Sequence, residues 1–334
     1  MIPNQWYVVL ESNEIKPGKP VGVMRMGERL VFWRDPQGQV SCLRDLCAHR
    51  GAALSKGAVL DDCIQCPFHG IRYDTGGRGR LIPANGKNTP VPERFHVHAY
   101  PTHEAHGFIW IWWGNTPPAN LTPPTFFADI DARFTYASTR DPWPTHYSRA
   151  IENQLDVVHL PFVHHSTIGR GNRTLVNGPV IEWVDENLMF VYVHNEVDTG
   201  QKPLRAEEIP GPYGPFHLEF QFPNLWQNYL DEQARIVVAF VPVDDEHTLM
   251  YLRFYQKFLR WPLLRHVFNR LATPSNLHIL HQDRRVVTTQ RPMRSDLRLD
   301  EKLIQGDRPI MEYRRRRQAL IDAASTQKGQ DEEA

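Results

Sequence analysis

The stretch CAHRGAALSKGAVLDDCIQCPFH, residues 47–69, restricts this chain more than any other. It places a Cys-x-His pair, Cys47 and His49, and a Cys-x-x-His pair, Cys66 and His69, on either side of sixteen residues. Two such pincers are hard to dismiss as unrelated core side chains. Zinc would accept two cysteines and two histidines, but common zinc pincers are spaced by two or more residues, and the first pair here is separated by one.

A [2Fe–2S] centre of the Rieske kind accounts for the mixture, with Cys47 and Cys66 on one iron and His49 and His69 on the other. Neutral imidazoles in place of two anionic thiolates lower the negative charge on such a cluster. This raises its potential to roughly −150 to +300 mV. Gly51 and Gly70 follow the pincers and let backbone N–H groups approach the sulfides. Pro67 stiffens the second pincer. Cys42 and Cys63 read as free, buried thiols.

With 334 residues the chain has room for two domains. Residues 1–115 hold short apolar runs such as WYVVL, RLVFWRD and VSCLRD between Pro/Gly-rich turns, the pattern of a small all-β domain. NTPPANLTPP, 115–124, reads as a linker, which predicts one domain over 1–116 and a second over 117–324. In the second, THYSRAIENQLDVVHL (145–160) is predicted helical and stopped by Pro161. Paired runs over 178–196 and 234–258 predict hairpins, and SNLHILHQDRRVVTTQ (275–290) a second helix capped by Ser275. MEYRRRRQALIDAA reads as a helix with Arg314–Arg317 on its solvated face, and 325–334 as a disordered tail. The fold class is therefore α+β.

Formal net charge is zero, so no nucleic-acid partner is expected. GFIWIWWG, the most apolar run, is too short for a bilayer and reads as a buried strand, so no membrane association is expected either. Four cysteines and no visible leader make the cytoplasm the default location.

A second constellation, IENQLDVVHLPFVHH (151–165), gathers Asn153, Asp156, His159, His164 and His165. Two histidines beside an acid suit the two-histidine, one-carboxylate site of mononuclear Fe(II). Asp156 is one candidate carboxylate. Asp283 is the better one, because Leu280, Asp283 and Val287 share a helical stripe, and an inward acid needs a cation or a metal. Its competing reading is a buried salt bridge to an arginine.

CAHRGAALS…CPFHGIRYDTGG resembles the Rieske domain of the Rieske non-haem iron oxygenases, with Ile71 where those proteins commonly have Trp. The family pattern Asn-x-x-Asp-x-x-His, a second His and a distant Asp is matched in order by Asn153, Asp156, His159, His164 and Asp283. The resemblance implies an N-terminal Rieske [2Fe–2S] domain and a C-terminal helix-grip domain, an antiparallel sheet with helices. It implies mononuclear Fe(II) on His159, His164 and Asp283. Asp156, assisted by Asn153, would then be a bridge between His159 and His69 of a neighbouring subunit in a head-to-tail homotrimer. It further implies a terminal oxygenase that takes NAD(P)H-derived electrons from a separate reductase or ferredoxin and uses O₂ on a small aromatic or alicyclic compound. Hydroxylation or oxidative demethylation is favoured over cis-dihydroxylation. A Rieske electron carrier with an inactive second site is the other class. FQFPNLWQNYL (220–230) is the candidate pocket lining and 166–179 the candidate lid.

Overall fold

The structure, a computed structural model, describes residues 1–114, 121–259 and 261–333. The chain divides into two compact units. Pro3–Thr125 form most of the first, and Phe126–Val241 with the chain from Asp245 onward form most of the second. The division falls at 125/126 rather than at 116/117. The predicted linker lies outside the described residues from 115 to 120, and 121–124 carry no regular structure.

The first unit contains three small sheets. Phe108–Trp113, the apolar run read as a buried strand, lies between Gln5–Glu11 and Thr102–Ala105. Val21–Arg25, Glu28–Arg34, Val40–Arg44 and Ala99–Tyr100 make the second sheet. The third consists of Ala58–Leu60, Cys63–Gln65, Arg72–Tyr73 and Gly79–Leu81, two or three residues each. Runs that short carry no readable alternation, so the sequence did not announce them. They nevertheless frame both pincers. Val31, Trp33, Leu43, Leu54, Ile64 and Tyr73 pack with Cys47 and Cys66 in one core.

The second unit is built on a seven-stranded sheet. Leu175–Trp183, Leu188–Glu196, His217–Gln221, Leu225–Asp231 and Ala234–Pro242 pair antiparallel in chain order. Thr248–Gln256 follows, and Thr135–Trp143 forms the edge. That edge strand contains Pro142, which has no N–H to give a ladder and is tolerated because one side is unpaired.

Among the described residues, four α-helices complete the unit: α1 (Tyr147–Leu155), α2 (Leu160–Val163), α3 (Pro262–Val287) and α4 (Arg308–Glu333). The single helix predicted over 145–160 is thus two. α1 ends at Leu155, with Asp156 extended at ψ 119°, and Pro161 opens α2 instead of closing α1. The first helical turn needs no N–H from proline, so Pro161 starts a helix as readily as it stops one. α3 begins at Pro262, so Ser275 is interior and not a cap. The tail read as disordered continues α4 to Glu333; Gln, Lys, Glu and Ala favour helix, and no proline interrupts them.

Arg314–Arg317 also differ from expectation. Arg314 and Arg317 are each 3% exposed and face inward; only Arg315 and Arg316 lie outside the core. Arg314 binds Glu152 of α1 at 2.7 Å and Glu301 at 2.6 Å, and Arg149 of α1 joins the same two acids at 3.0 and 2.8 Å. Arg317 donates to the Ser295 carbonyl at 2.6 Å. Two buried guanidinia, the buried Glu152 and the half-buried Glu301 satisfy one another. The network fastens α4 to α1, the helix that leads into the histidine segment.

Candidate metal centres

In the first unit the two pincers close by the same backbone device despite their unequal spacing. The Cys47 N–H donates to the Ala52 carbonyl and the Cys66 N–H to the Ile71 carbonyl, both at 2.8 Å. Gly51 and Gly70 then donate back to the Cys47 and Cys66 carbonyls at 2.9 and 3.1 Å. Each loop turns through a left-handed glycine, at φ 74° and 71°, a conformation costly for other residues.

Both cysteines are buried while His49 and His69 are exposed, with ring centroids 4.7 Å apart. Burial pushes the Cys66 thiol up, the backbone amides of Phe68 and His69 pull it down, and the neighbouring Cys47 sulfur raises it again. A buried Cys66 sulfur that is offered backbone N–H donors is a ready metal ligand once ionised. The Tyr73 hydroxyl lies 3.2 Å from Cys47 Sγ, a partner that no spacing in the sequence signalled. Cys42 and Cys63 are free and buried, and burial pushes Cys63 up to about 12.

In the second unit, His159 and His164 occupy the two ends of the four-residue α2. This short helix, rather than a turn after a long one, sets their separation. Asp283 comes in from α3, 3% exposed, as the apolar stripe predicted. Its Oδ1 lies 2.9 Å from His164 Nε2 and 3.4 Å from His159 Nε2. One ligand atom from each of the three falls within 4.8 Å of the others. Among the described residues no other set gathers three such atoms within reach of one ion.

Burial opposes a charge on His159, yet the Asp156 and Asp283 carboxylates outweigh it and hold its pKa up at about 9. For Asp283, burial favours the neutral acid, and His159 and His164 overcome it, so its pKa falls. Asp283 Oδ1 is nonetheless buried without an aligned hydrogen bond. An acid that stays charged in a dry place beside two imidazoles, with an oxygen to spare, suits a divalent cation. Among the described residues, the groups that meet the Asp283 carboxylate are His159, His164 and Gln154, not an arginine.

Asp156 stands apart from these three. Its Oδ1 accepts from the Val158 N–H at 2.7 Å, and its Oδ2 lies 3.5 Å from His159 Nδ1, on the ring edge away from Asp283. Asn153 lies on α1 with its Nδ2 buried and unbonded. His165 is exposed, its Nδ1 3.1 Å from the Phe162 carbonyl. The sequence reading passed over Gln154, whose amide reaches Asp283 Oδ2 at 3.4 Å, and Gln282, whose Oε1 is 2.8 Å from His164 Nδ1. Both sit beside candidate residues in the chain, but only the packing of α1, α2 and α3 reveals their targets.

A cavity of about 420 Å³ lies against α2, lined by Leu160, Pro161, Ile168, Arg170, Arg173 and His194 among others; His159, His164 and Asp283 are not among its lining residues. The candidate lid contributes to it through 168–173. The candidate lining, 220–230, does not; most of it forms a strand within the large sheet.

Comparison with known families decides the relationship. Residues 5–101 match the Rieske [2Fe-2S] domain, and residues 143–323 match the vanillate O-demethylase oxygenase C-terminal domain. The chain belongs to the Rieske non-haem iron oxygenases. Members of this family combine a [2Fe–2S] cluster with a mononuclear iron, the two groups that the donor sets fit.

Methylxanthine N1-demethylase NdmA of Pseudomonas putida is 28% identical over 331 residues, 95% of this oxygenase chain and 89% of that protein. Its solved structure superposes with a TM-score of 0.78 at 23% identity, covering 97% and 92% of the two chains, which establishes the shared fold. Chlorophyllide a oxygenase of Chlamydomonas reinhardtii is 38% identical over 168 residues, 50% of this chain but 25% of that protein. Several curated relatives are thus matched over half of their length or less. No helix among the described residues is long and apolar enough to cross a membrane.

Proposed function

We propose that this chain is the terminal oxygenase of a multicomponent system, hydroxylating or oxidatively demethylating a small aromatic or alicyclic compound with O₂. The carrying observation is the meeting of His159, His164 and Asp283, donor atoms within 4.8 Å, in a chain that also bears the two pincers. An electron carrier would have no use for a second, intact metal centre. Kinship with NdmA supports demethylation over cis-dihydroxylation.

Cys47, Cys66, His49 and His69 would hold the [2Fe–2S] cluster, and His159, His164 and Asp283 the Fe(II). When bound, these groups store an electron and activate O₂. The protein's own part is positional. His49 and His69 are exposed, which leaves the His69 ring open to a neighbouring subunit, and a reductase or ferredoxin fed by NAD(P)H would supply the electron. Asp156 holds His159 so that Nε2 faces the metal side, and its carboxylate is the bridge to His69 of a neighbouring subunit in a head-to-tail trimer. The cavity beside α2 receives the substrate and limits it to a small molecule.

The test is metal analysis followed by turnover. The purified protein should be red-brown, with acid-labile sulfide matching a two-iron cluster and iron in excess of it. Asp283→Ala should lose the excess iron and all reductase-coupled substrate oxidation while keeping the visible spectrum. A colourless zinc protein, or an Asp283→Ala variant with full iron, would overturn the assignment.

A further inference from the structure

An imidazole ligates a metal only through an unprotonated ring nitrogen, and the partner of the other nitrogen decides which one that is. At His159 the facing group is the Asp156 carboxylate, 3.5 Å from Nδ1 without an aligned hydrogen bond. At His164 it is a neutral amide, and its surroundings fix which end of that amide faces the ring.

Gln282 Oε1 lies 2.8 Å from His164 Nδ1 and accepts the Thr167 hydroxyl at 2.9 Å. Its Nε2 faces His278 Nε2 at 3.4 Å, an available acceptor. The oxygen thus meets two donors and the nitrogen meets an acceptor. Turning the amide over would point its N–H₂ at the ring and leave the Thr167 hydroxyl only the His164 carbonyl, at 3.3 Å, to donate to in place of the 2.9 Å contact. The bonded arrangement requires the proton on His164 Nδ1. It leaves Nε2 bare, 2.9 Å from Asp283 Oδ1, on the side where the three donors meet.

The position of Thr167 is itself constrained. The His164 carbonyl accepts from the Thr167 N–H at 2.8 Å and from the Gly169 N–H at 3.0 Å, folding the chain back on α2. Gly169 is required there, since a Cβ would lie 1.9 Å from the Leu160 carbonyl oxygen. Ile168, Gly169 and Arg170 of the same turn line the cavity.

We infer that Gln282 is a positioning residue for the mononuclear site: it fixes the His164 tautomer and ties that ligand to the cavity-lining turn through Thr167. The inference rests on the reading of His159, His164 and Asp283 as the iron ligands, and the experiment separates the two. Protein with its cluster intact and its mononuclear site emptied by chelation is titrated with Co(II), following the d–d bands. Gln282→Leu removes the acceptor, and Gln282→Glu restores one at the same place.

The leucine variant should bind Co(II) roughly 10–100-fold more weakly, with altered d–d bands and an unchanged cluster spectrum. The glutamate variant should recover the parent's affinity and bands. Parent-like Co(II) binding by Gln282→Leu, or failure of Gln282→Glu to restore it, would overturn the inference. If instead His164→Ala and Asp283→Ala bind Co(II) like the parent, the ligand assignment itself falls.

Discussion

Asp156 begins where α1 stops: its backbone N–H closes on the Glu152 carbonyl at 2.9 Å while its own ψ is already extended. This swings the carboxylate toward Val158 and His159 instead of along the helix face. Asp156→Asn keeps an oxygen for the Val158 amide but loses the charge facing His159. Both metals should remain bound, while turnover coupled to NAD(P)H falls about 10–100-fold. Unchanged turnover would remove Asp156 from the electron route.

His146 makes a different demand. It caps α1 through Nδ1, which accepts from the Ser148 amide at 3.3 Å and lies 2.8 Å from the Ser148 hydroxyl. Burial first, and then the Arg317 charge, push its pKa down to about 3. Above about pH 7 the ring is neutral in both folded and unfolded chains and contributes no pH dependence. As pH falls from 6.5 toward 3, the unfolded chain takes up a proton that the folded one refuses, so stability drops by about 1.4 kcal/mol per pH unit. His146→Asn keeps a capping oxygen and should show a shallower loss by urea titration between pH 6 and 4. Parallel curves for the two proteins would contradict this.

At the scale of elements, the local signals were real but two were assigned to the wrong partner. Pro161 marks a helix boundary, the start of α2 and not the end of α1. The arginine run marks a helix, yet two of its members enter the core: Arg314 because Glu152 and Glu301 await it there, and Arg317 because the Ser295 carbonyl does. Arg314→Met should destabilise the protein by about 3 kcal/mol, because the buried Glu152 loses one of its two guanidinium partners. Glu152→Gln with Arg314→Met should cost less than the sum of the single changes. Additive losses would mean that the pair does not act as a unit. Because α1 leads directly into Asp156, the Arg314 variant should also bind the mononuclear metal more weakly.

For the molecule as a whole, the proposed route places cluster and iron in different chains of a ring. The protein should behave in solution as three 38.8 kDa chains. A chain without a cluster, Cys66→Ser, and a chain without mononuclear iron, Asp283→Ala, should each be inactive alone. Co-expressed, they should regain part of the turnover, because some interfaces then pair an intact cluster with an intact iron site. A monomeric protein, or co-expressed variants that stay inactive, would rule out transfer between subunits.

Metal donors were legible because their chemistry forces short, specific spacings. Cys47, His49, Cys66 and His69 announced two loops, and His159, His164 and an inward Asp on a helical stripe announced a third. Long strands were legible for the same kind of reason, since apolar runs between turn residues leave few alternatives. What the sequence could not carry was anything set by contact between distant segments. Examples are the short strands framing the pincers, the burial of Arg314 against Glu152 and of Arg317 against the Ser295 carbonyl, and the reach of Gln282 to His164. A side chain's type and neighbours in the chain limit what it can do; packing supplies the partner, and the partner decides which of those things it does.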